Sequence, residues 1–125
     1  MNLNQVTIPS LNVERAVRFY ELLGLQLIVQ ALPRYARFIC PNGDTTFSIH
    51  HVTEPLKGEG IILYFERDDI DDYVASLQQK GIVFDQLPTD QPWLWREARL
   101  KDLDGNQLII YYAGENRKNP PWRIK

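Results

Sequence analysis

The stretch Val13-Glu14-Arg15-Ala16-Val17-Arg18-Phe19-Tyr20-Glu21-Leu22-Leu23-Gly24 decides the fold. Val13, Ala16, Val17 and Tyr20 recur at helical spacing, and Glu14, Arg15, Arg18 and Glu21 fall on the other side. Asn12 stands where a helix is capped and Gly24 where one ends. The pattern returns 57 positions later as Ile70, Tyr73, Val74 and Leu77, with Asp69 as the cap and Gly81 as the terminator. One unit is written twice.

The repeat extends beyond the helices. The same offset relates the short alternating strands 5–8 and 62–65, and three further strand candidates follow each helix: 25–30, 36–40 and 46–51, then 82–86, 95–101 and 107–112. Pro41-Asn42-Gly43-Asp44 and Asp102-Leu103-Asp104-Gly105 supply tight-turn residues before the last strand of each half. The expected fold is α+β: two tandem βαβββ modules, 1–53 and 59–113, with mostly antiparallel curved sheets, one helix on the outer face of each and an extended tail over 114–125. Alternation along the strands sends Val6, Ile8, Phe38, Phe47 and Ile49 toward the first helix, and Leu63, Phe65, Leu100, Leu108 and Ile110 toward the second. The opposite parity, Gln5, Thr7, Arg37, Ser48, His50, Ile62, Tyr64, Glu66, Glu97, Arg99, Ile109 and Tyr111, is expected to line a shared cup.

Composition narrows the function. A chain of 125 residues, 44% hydrophobic, can bury its own core and is expected to form a single domain. Fourteen basic against sixteen acidic residues give a net charge of −2, which argues against a nucleic-acid partner. A single cysteine, Cys40, excludes an intrachain disulfide and reads as a small buried strand residue. With no apolar run of membrane-spanning length and no leader-like start, the expectation is a cytoplasmic protein without a membrane partner.

Asn4-Gln5-Val6-Thr7, Glu14-Arg15-Ala16-Val17-Arg18-Phe19-Tyr20, Leu23-Gly24-Leu25 and Asp102-Leu103-Asp104-Gly105-Asn106 together resemble the signatures of the vicinal oxygen chelate superfamily, which includes glyoxalases, bleomycin-resistance proteins and ring-cleavage dioxygenases. The resemblance covers about residues 1 to 113. In its metal-dependent members, one ligand comes from the first strand and one from the last strand of each half. Those places fall here on Gln5, Ser48, Ile62 and Ile109. An alkyl side chain offers no donor atom, so neither metal nor other cofactor is expected. The adjacent His50-His51 cannot both reach one ion from a regular strand; His50 is expected on the cup side and His51 under the first helix.

The resemblance implies two readings. The first is a binding protein of the bleomycin-resistance type, holding a small organic molecule with Gln5, Arg37, Ser48, Tyr64, Trp93, Glu97, Arg99 and Tyr111. Arg37 and Arg99 suit an anionic or carbonyl-bearing ligand, while the plainer account pairs them with Glu97 and Glu66 across neighbouring strands. Tyr64, Tyr111, Trp93 and Trp95 supply aromatic area for a planar molecule. The second is an enzyme of the lyase, isomerase or dioxygenase type, with relocated metal ligands or with His50 or Glu66 as a metal-free general base. A homodimer is also implied, with Trp122 and Ile124 of the tail docked on a surface of this subunit or its partner.

Overall fold

The computed structural model describes residues 1–124, and Lys125 lies outside the described residues. The chain runs β1 (Gln5–Ser10), α1 (Val13–Leu22), β2 (Gln26–Ala31), β3 (Tyr35–Ile39), β4 (Thr46–His51), β5 (Ile62–Glu66), α2 (Ile70–Gln79), β6 (Gln86–Asp90), β7 (Arg96–Lys101) and β8 (Gln107–Tyr112). The fold is α+β, built from two βαβββ modules. The strand orders β1-β4-β3-β2 and β5-β8-β7-β6 repeat one topology, in which the first strand of each module pairs parallel to its last and the other pairings are antiparallel.

Two compact units result. The first comprises residues 1–60 together with the turn 102–106, and the second comprises residues 61–101 and the described residues from 107 onward. In the first unit, Asn12 caps α1 by accepting the Arg15 amide at 3.0 Å. Gly24 closes the helix at φ +100°, a conformation open to glycine, and lets the Leu25 amide reach Tyr20 O at 3.2 Å. The second unit repeats the device: Gly81 sits at φ +92° and the Ile82 amide reaches Leu77 O at 3.0 Å. Its start differs from expectation. Asp69 makes no side-chain cap, because Arg67 holds its carboxylate through Nε at 2.7 Å and Nη2 at 2.9 Å.

The strand parity is as the alternation requires. Ile8, Phe38, Phe47 and Ile49 are buried with Val17 and Tyr20 of α1, and Leu100, Leu108 and Ile110 are buried in the unit that holds Val74 and Leu77 of α2. Tyr20 packs its ring 4.7 Å from Phe47 and 6.2 Å from Phe38, centroid to centroid. Its hydroxyl donates to Asp102 Oδ2 at 2.5 Å. Asp102 Oδ1 accepts the amides of Asp104 and Asn106, and Asn106 Nδ2 donates to Asp102 Oδ2 and to Pro9 O. This network ties the 102–106 turn into the first unit, and explains in physical terms why the Phe-Tyr helix phrase and the Asp-x-Asp-Gly-Asn turn occur in one chain.

Some boundaries move. The sixth strand, expected at 82–86, lies at Gln86–Asp90: Ile82 is consumed by the helix ending, and the register with β7 shifts between Gln86 and Thr89, around Pro88, which has no amide to donate. Cys40 lies just beyond β3 and is only half-buried. His51 is exposed rather than packed beneath α1. The tail begins with a 3₁₀ turn at Gly114–Arg117, and Trp122 and Ile124 are exposed in this chain. Among the described residues, no helix is long and apolar enough to cross a membrane.

Candidate functional site

Each sheet turns one face to its helix, and the candidate residues lie on the opposite, open face, where Ser48, Glu97, Ile109 and Tyr111 are nevertheless buried. On the first, the parallel pairing of β1 with β4 sets Thr7 opposite Ser48. Gln5 Nε2 donates to Ser48 Oγ at 2.7 Å, and the Thr7 and Ser48 hydroxyls share a hydrogen at 2.7 Å. Gln5 Oε1 is taken by the Thr46 hydroxyl. Ser48 is wholly buried under this polar cover. Arg37 is the cross-strand partner of Ser48, and Tyr35 that of His50. The Nε of Arg37 donates to the Tyr35 hydroxyl at 2.8 Å, and its guanidinium carbon lies 5.5 Å from the Tyr35 ring centroid. Burial pushes the Tyr35 phenol up, but hydrogen bonding with Ser48 and Arg37 and the charge of Arg37 outweigh it and bring it below the ordinary tyrosine range. His50, across from Tyr35 on β4, is exposed.

The open face of the second sheet is aromatic. Trp95 and Tyr111 stack with centroids 4.8 Å apart and planes 27° apart, and Tyr64 stands edge-on to both, at 5.8 Å and 5.4 Å. Tyr111 is buried, with Ile109 and Ala113 in a small cluster against which Trp95 packs. Tyr64 keeps 46% of its surface exposed. Trp95 is anchored by Nε1 donating to Asn116 O at 3.3 Å. Beside this group, Glu97 is only 1% exposed. Its Oε2 accepts from Trp93 Nε1 at 2.8 Å and its Oε1 from Arg99 Nη2 at 3.2 Å. The Nε of Arg99 is enclosed with no hydrogen-bond partner among the described residues. Trp93 reaches Glu97 because Leu94 turns the chain in the left-handed region, at φ +68°, a strained conformation for a non-glycine residue.

The expected arginine pairing is therefore only half right. Arg99 does meet Glu97, but along its own strand, and Arg37 meets a phenol. Glu66 is engaged elsewhere: its Oε2 accepts the Ala113 and Gly114 amides at 2.9 Å and 3.0 Å, and Arg117 Nε lies 3.8 Å from its Oε1. Sequence reasoning placed Gln5 with Ser48, Tyr64 with Tyr111, and Glu97 with Arg99 on the faces where they lie, and Trp93 in the loop before β7. It passed over Tyr35, and it counted Trp95 only as part of the aromatic area suited to a planar molecule. Tyr35 is two residues from Arg37, the same-face spacing of a strand, and that was the available signal.

A profile of the Glyoxalase family, described as the Glyoxalase/Bleomycin resistance protein/Dioxygenase superfamily, matches residues 2–110. The chain belongs to this superfamily. Among solved structures, a glyoxalase/bleomycin resistance protein/dioxygenase from Nocardioides matches with a TM-score of 0.81 at 19% identity, over 100% of this chain and 90% of that one. A family enzyme from Burkholderia phytofirmans PsJN matches with a TM-score of 0.75 at 19% identity, over 90% of this chain and 99% of that one. A superfamily member from Sphaerobacter thermophilus DSM 20745 matches with a TM-score of 0.74 at 22% identity, over 90% and 97%. At these identities the likeness is one of fold. No curated protein matches the chain.

A superfamily fold raises the question of a divalent ion, and the donor set does not fit one. Ile62 and Ile109 stand at two of the ligand places, and Ile109 is buried among apolar neighbours. Gln5 and Ser48 bond to each other and to adjacent hydroxyls. Among the described residues, no three His, Cys, Asp or Glu side chains gather as a metal-binding group. Two neutral donors already in mutual hydrogen bonds are a poor match for an ion that prefers several anionic or imidazole ligands.

Proposed function

We propose that this superfamily member binds a small organic molecule with a planar apolar part on the open face of its second sheet, independently of a divalent ion. The observation that carries the reading is the half-exposed Tyr64 ring standing edge-on to the stacked Trp95–Tyr111 pair. Aromatic area left at a surface is costly unless something covers it, and a planar ligand gains both burial and ring–ring geometry there. The strained Leu94 supports the reading, since it holds Trp93 against the buried Glu97 instead of letting the turn relax.

Base catalysis is the weaker reading. Both oxygens of Glu66 face donors, two of them backbone amides that cannot be given up without loosening the 3₁₀ turn. Tryptophan fluorescence titrated with a panel of uncharged planar aromatics, in the presence of a chelator, tests the proposal. The expected result is saturable quenching that Tyr64→Ala weakens about threefold to tenfold, the worth of an aromatic contact. A flat titration across the panel, or quenching restored only by added zinc, overturns it.

A further inference from the structure

The two modules place an arginine at the same point of the same sheet and neutralise it differently. Arg37 pairs across to Ser48 and Arg99 to Ile109, each at the corresponding place on the last strand of its module. Two residues earlier on each strand, on the same open face, the second module has Glu97 and the first has Tyr35. Glu97 gives Arg99 a carboxylate at 3.2 Å. Tyr35 gives Arg37 a hydroxyl at 2.8 Å, which accepts a hydrogen bond but carries no charge while protonated. Among the described residues no carboxylate lies within ion-pairing distance of Arg37.

We infer that the open face of the first sheet binds the carboxylate of an organic acid, held by the Nη edge of Arg37, the ligand supplying there the charge that Glu97 supplies to Arg99. Tyr35 occupies Nε and fixes the plane of the guanidinium, so the edge formed by Nη1 and Nη2 remains for two parallel bonds to a planar two-oxygen group. The floor beside it is set: Ser48 is buried and its hydroxyl is held by Gln5 and Thr7, so the arginine has no competing acidic neighbour on β1 or β4. The Tyr35 phenol, brought down against burial by hydrogen bonding with Ser48 and Arg37 and then by the Arg37 charge, agrees with a guanidinium whose charge is not cancelled by a protein carboxylate.

This inference rests on the first sheet alone and stands whether or not the second binds aromatics. Benzoate and its uncharged isostere benzamide are the probes, titrated into the full chain and followed by the Arg37 Nε–H signal in nuclear magnetic resonance. Benzoate is expected to move that signal saturably and benzamide to leave it in place. Arg37→Gln, which lacks that signal and is followed instead by the Tyr35 ring resonances, should weaken benzoate binding about tenfold or more, the usual worth of charge-assisted hydrogen bonds. Tyr35→Glu, which installs the second module's own carboxylate, should do the same by filling the site from within. The inference is overturned if benzamide moves the signal as benzoate does, if equal concentrations of chloride or sulfate reproduce the shift, or if either folded variant binds benzoate like the parent. The resonance test on the unmodified chain decides the matter even where a variant fails to fold. Failure here leaves the fluorescence titration with neutral aromatics unaffected, so the two readings fail separately.

Discussion

The two modules share their backbone devices and differ in what they show to solvent. Both helices end on a positive-φ glycine with the same amide-to-carbonyl bond, Leu25 to Tyr20 and Ile82 to Leu77, and both sheets repeat one strand order. Their open faces have diverged: hydroxyls, an amide and an arginine facing a phenol on the first, and three aromatic rings beside an internal ion pair on the second. The helix-facing positions are bound to apolar residues by packing and the turns by backbone geometry, whereas the opposite face has taken different chemistry in the two modules, even at buried places such as Ser48 and Ile109. The duplicated fold constrains residue type more tightly on one face than on the other.

The comparison is sharpest under the helices, where equivalent places hold Tyr20 and Leu77. Leu77 is fully buried and purely apolar, so Leu77→Ala should cost about 2–5 kcal/mol in urea-induced unfolding, from lost transfer energy plus a cavity. Tyr20→Phe keeps the ring and removes only the hydrogen bond to Asp102, which retains three other donors, and should cost about 1–2 kcal/mol. The two variants also separate at high pH. Burial, then the Asp102 charge, pushes the Tyr20 phenol far above the ordinary value of 10.0. Above that value the unfolded chain loses the proton and the folded one keeps it, so stability falls as pH rises, by about 1.4 kcal/mol per pH unit for this group. Tyr73, pushed up to about 12 mainly by burial, contributes in the same direction. Tyr20→Phe should reduce the alkaline slope and Leu77→Ala should not. Equal slopes would mean that the Tyr20–Asp102 lock does not distinguish the first module.

A smaller contrast lies on the open faces. Glu97→Ala strands Arg99 and frees Trp93, and because the arginine side chain is 41% exposed, the loss is screened to about 2 kcal/mol, below that of a fully buried pair. Tyr35→Phe removes one acceptor from a partly solvated guanidinium and should cost about 1 kcal/mol or less. Thermal unfolding of both variants measures the difference. If Tyr35→Phe were the more damaging change, the first face would be a stability element instead of an open recognition surface.

Most of the fold was legible because its signals are periodic. The helix stripes and strand alternation assigned Ile8, Phe38, Phe47, Ile49, Leu100, Leu108 and Ile110 to the buried faces where they lie. The sixth strand was misplaced because Ile82 and its apolar neighbours look like a strand but complete a helix ending, a choice that hydropathy does not encode. Asp69 has a capping residue's identity, yet Arg67 two residues away claims it. The site was less legible for the same reason: whether Glu97 pairs along its strand or across it, and whether Glu66 is free or holds two amides, depends on rotamers that strand parity leaves open.

The smallest effect tests the least visible of these pairs. Tyr35 and Tyr20 are both phenols in the first unit, but their titrations move in opposite directions: burial and then the Asp102 carboxylate push Tyr20 up, whereas Tyr35, against its own burial, is brought down by hydrogen bonding with Ser48 and Arg37 and by the Arg37 charge. A lowered folded value means that ionised Tyr35 is favoured in the native state. Its contribution to stability is absent at neutral pH, grows as pH rises through the folded value, and is complete above the unfolded value of 10.0. Ring resonances of Tyr35 followed against pH should shift at lower pH than those of a free tyrosine, and Arg37→Gln should move the midpoint back up. Saturating benzoate should also raise it, since a carboxylate on the Nη edge cancels the charge that assists phenol ionisation. A midpoint indifferent to both would place the charge of Arg37 somewhere other than beside Tyr35, and the contrast with Glu97 and Arg99 on which the carboxylate site depends would lose its basis.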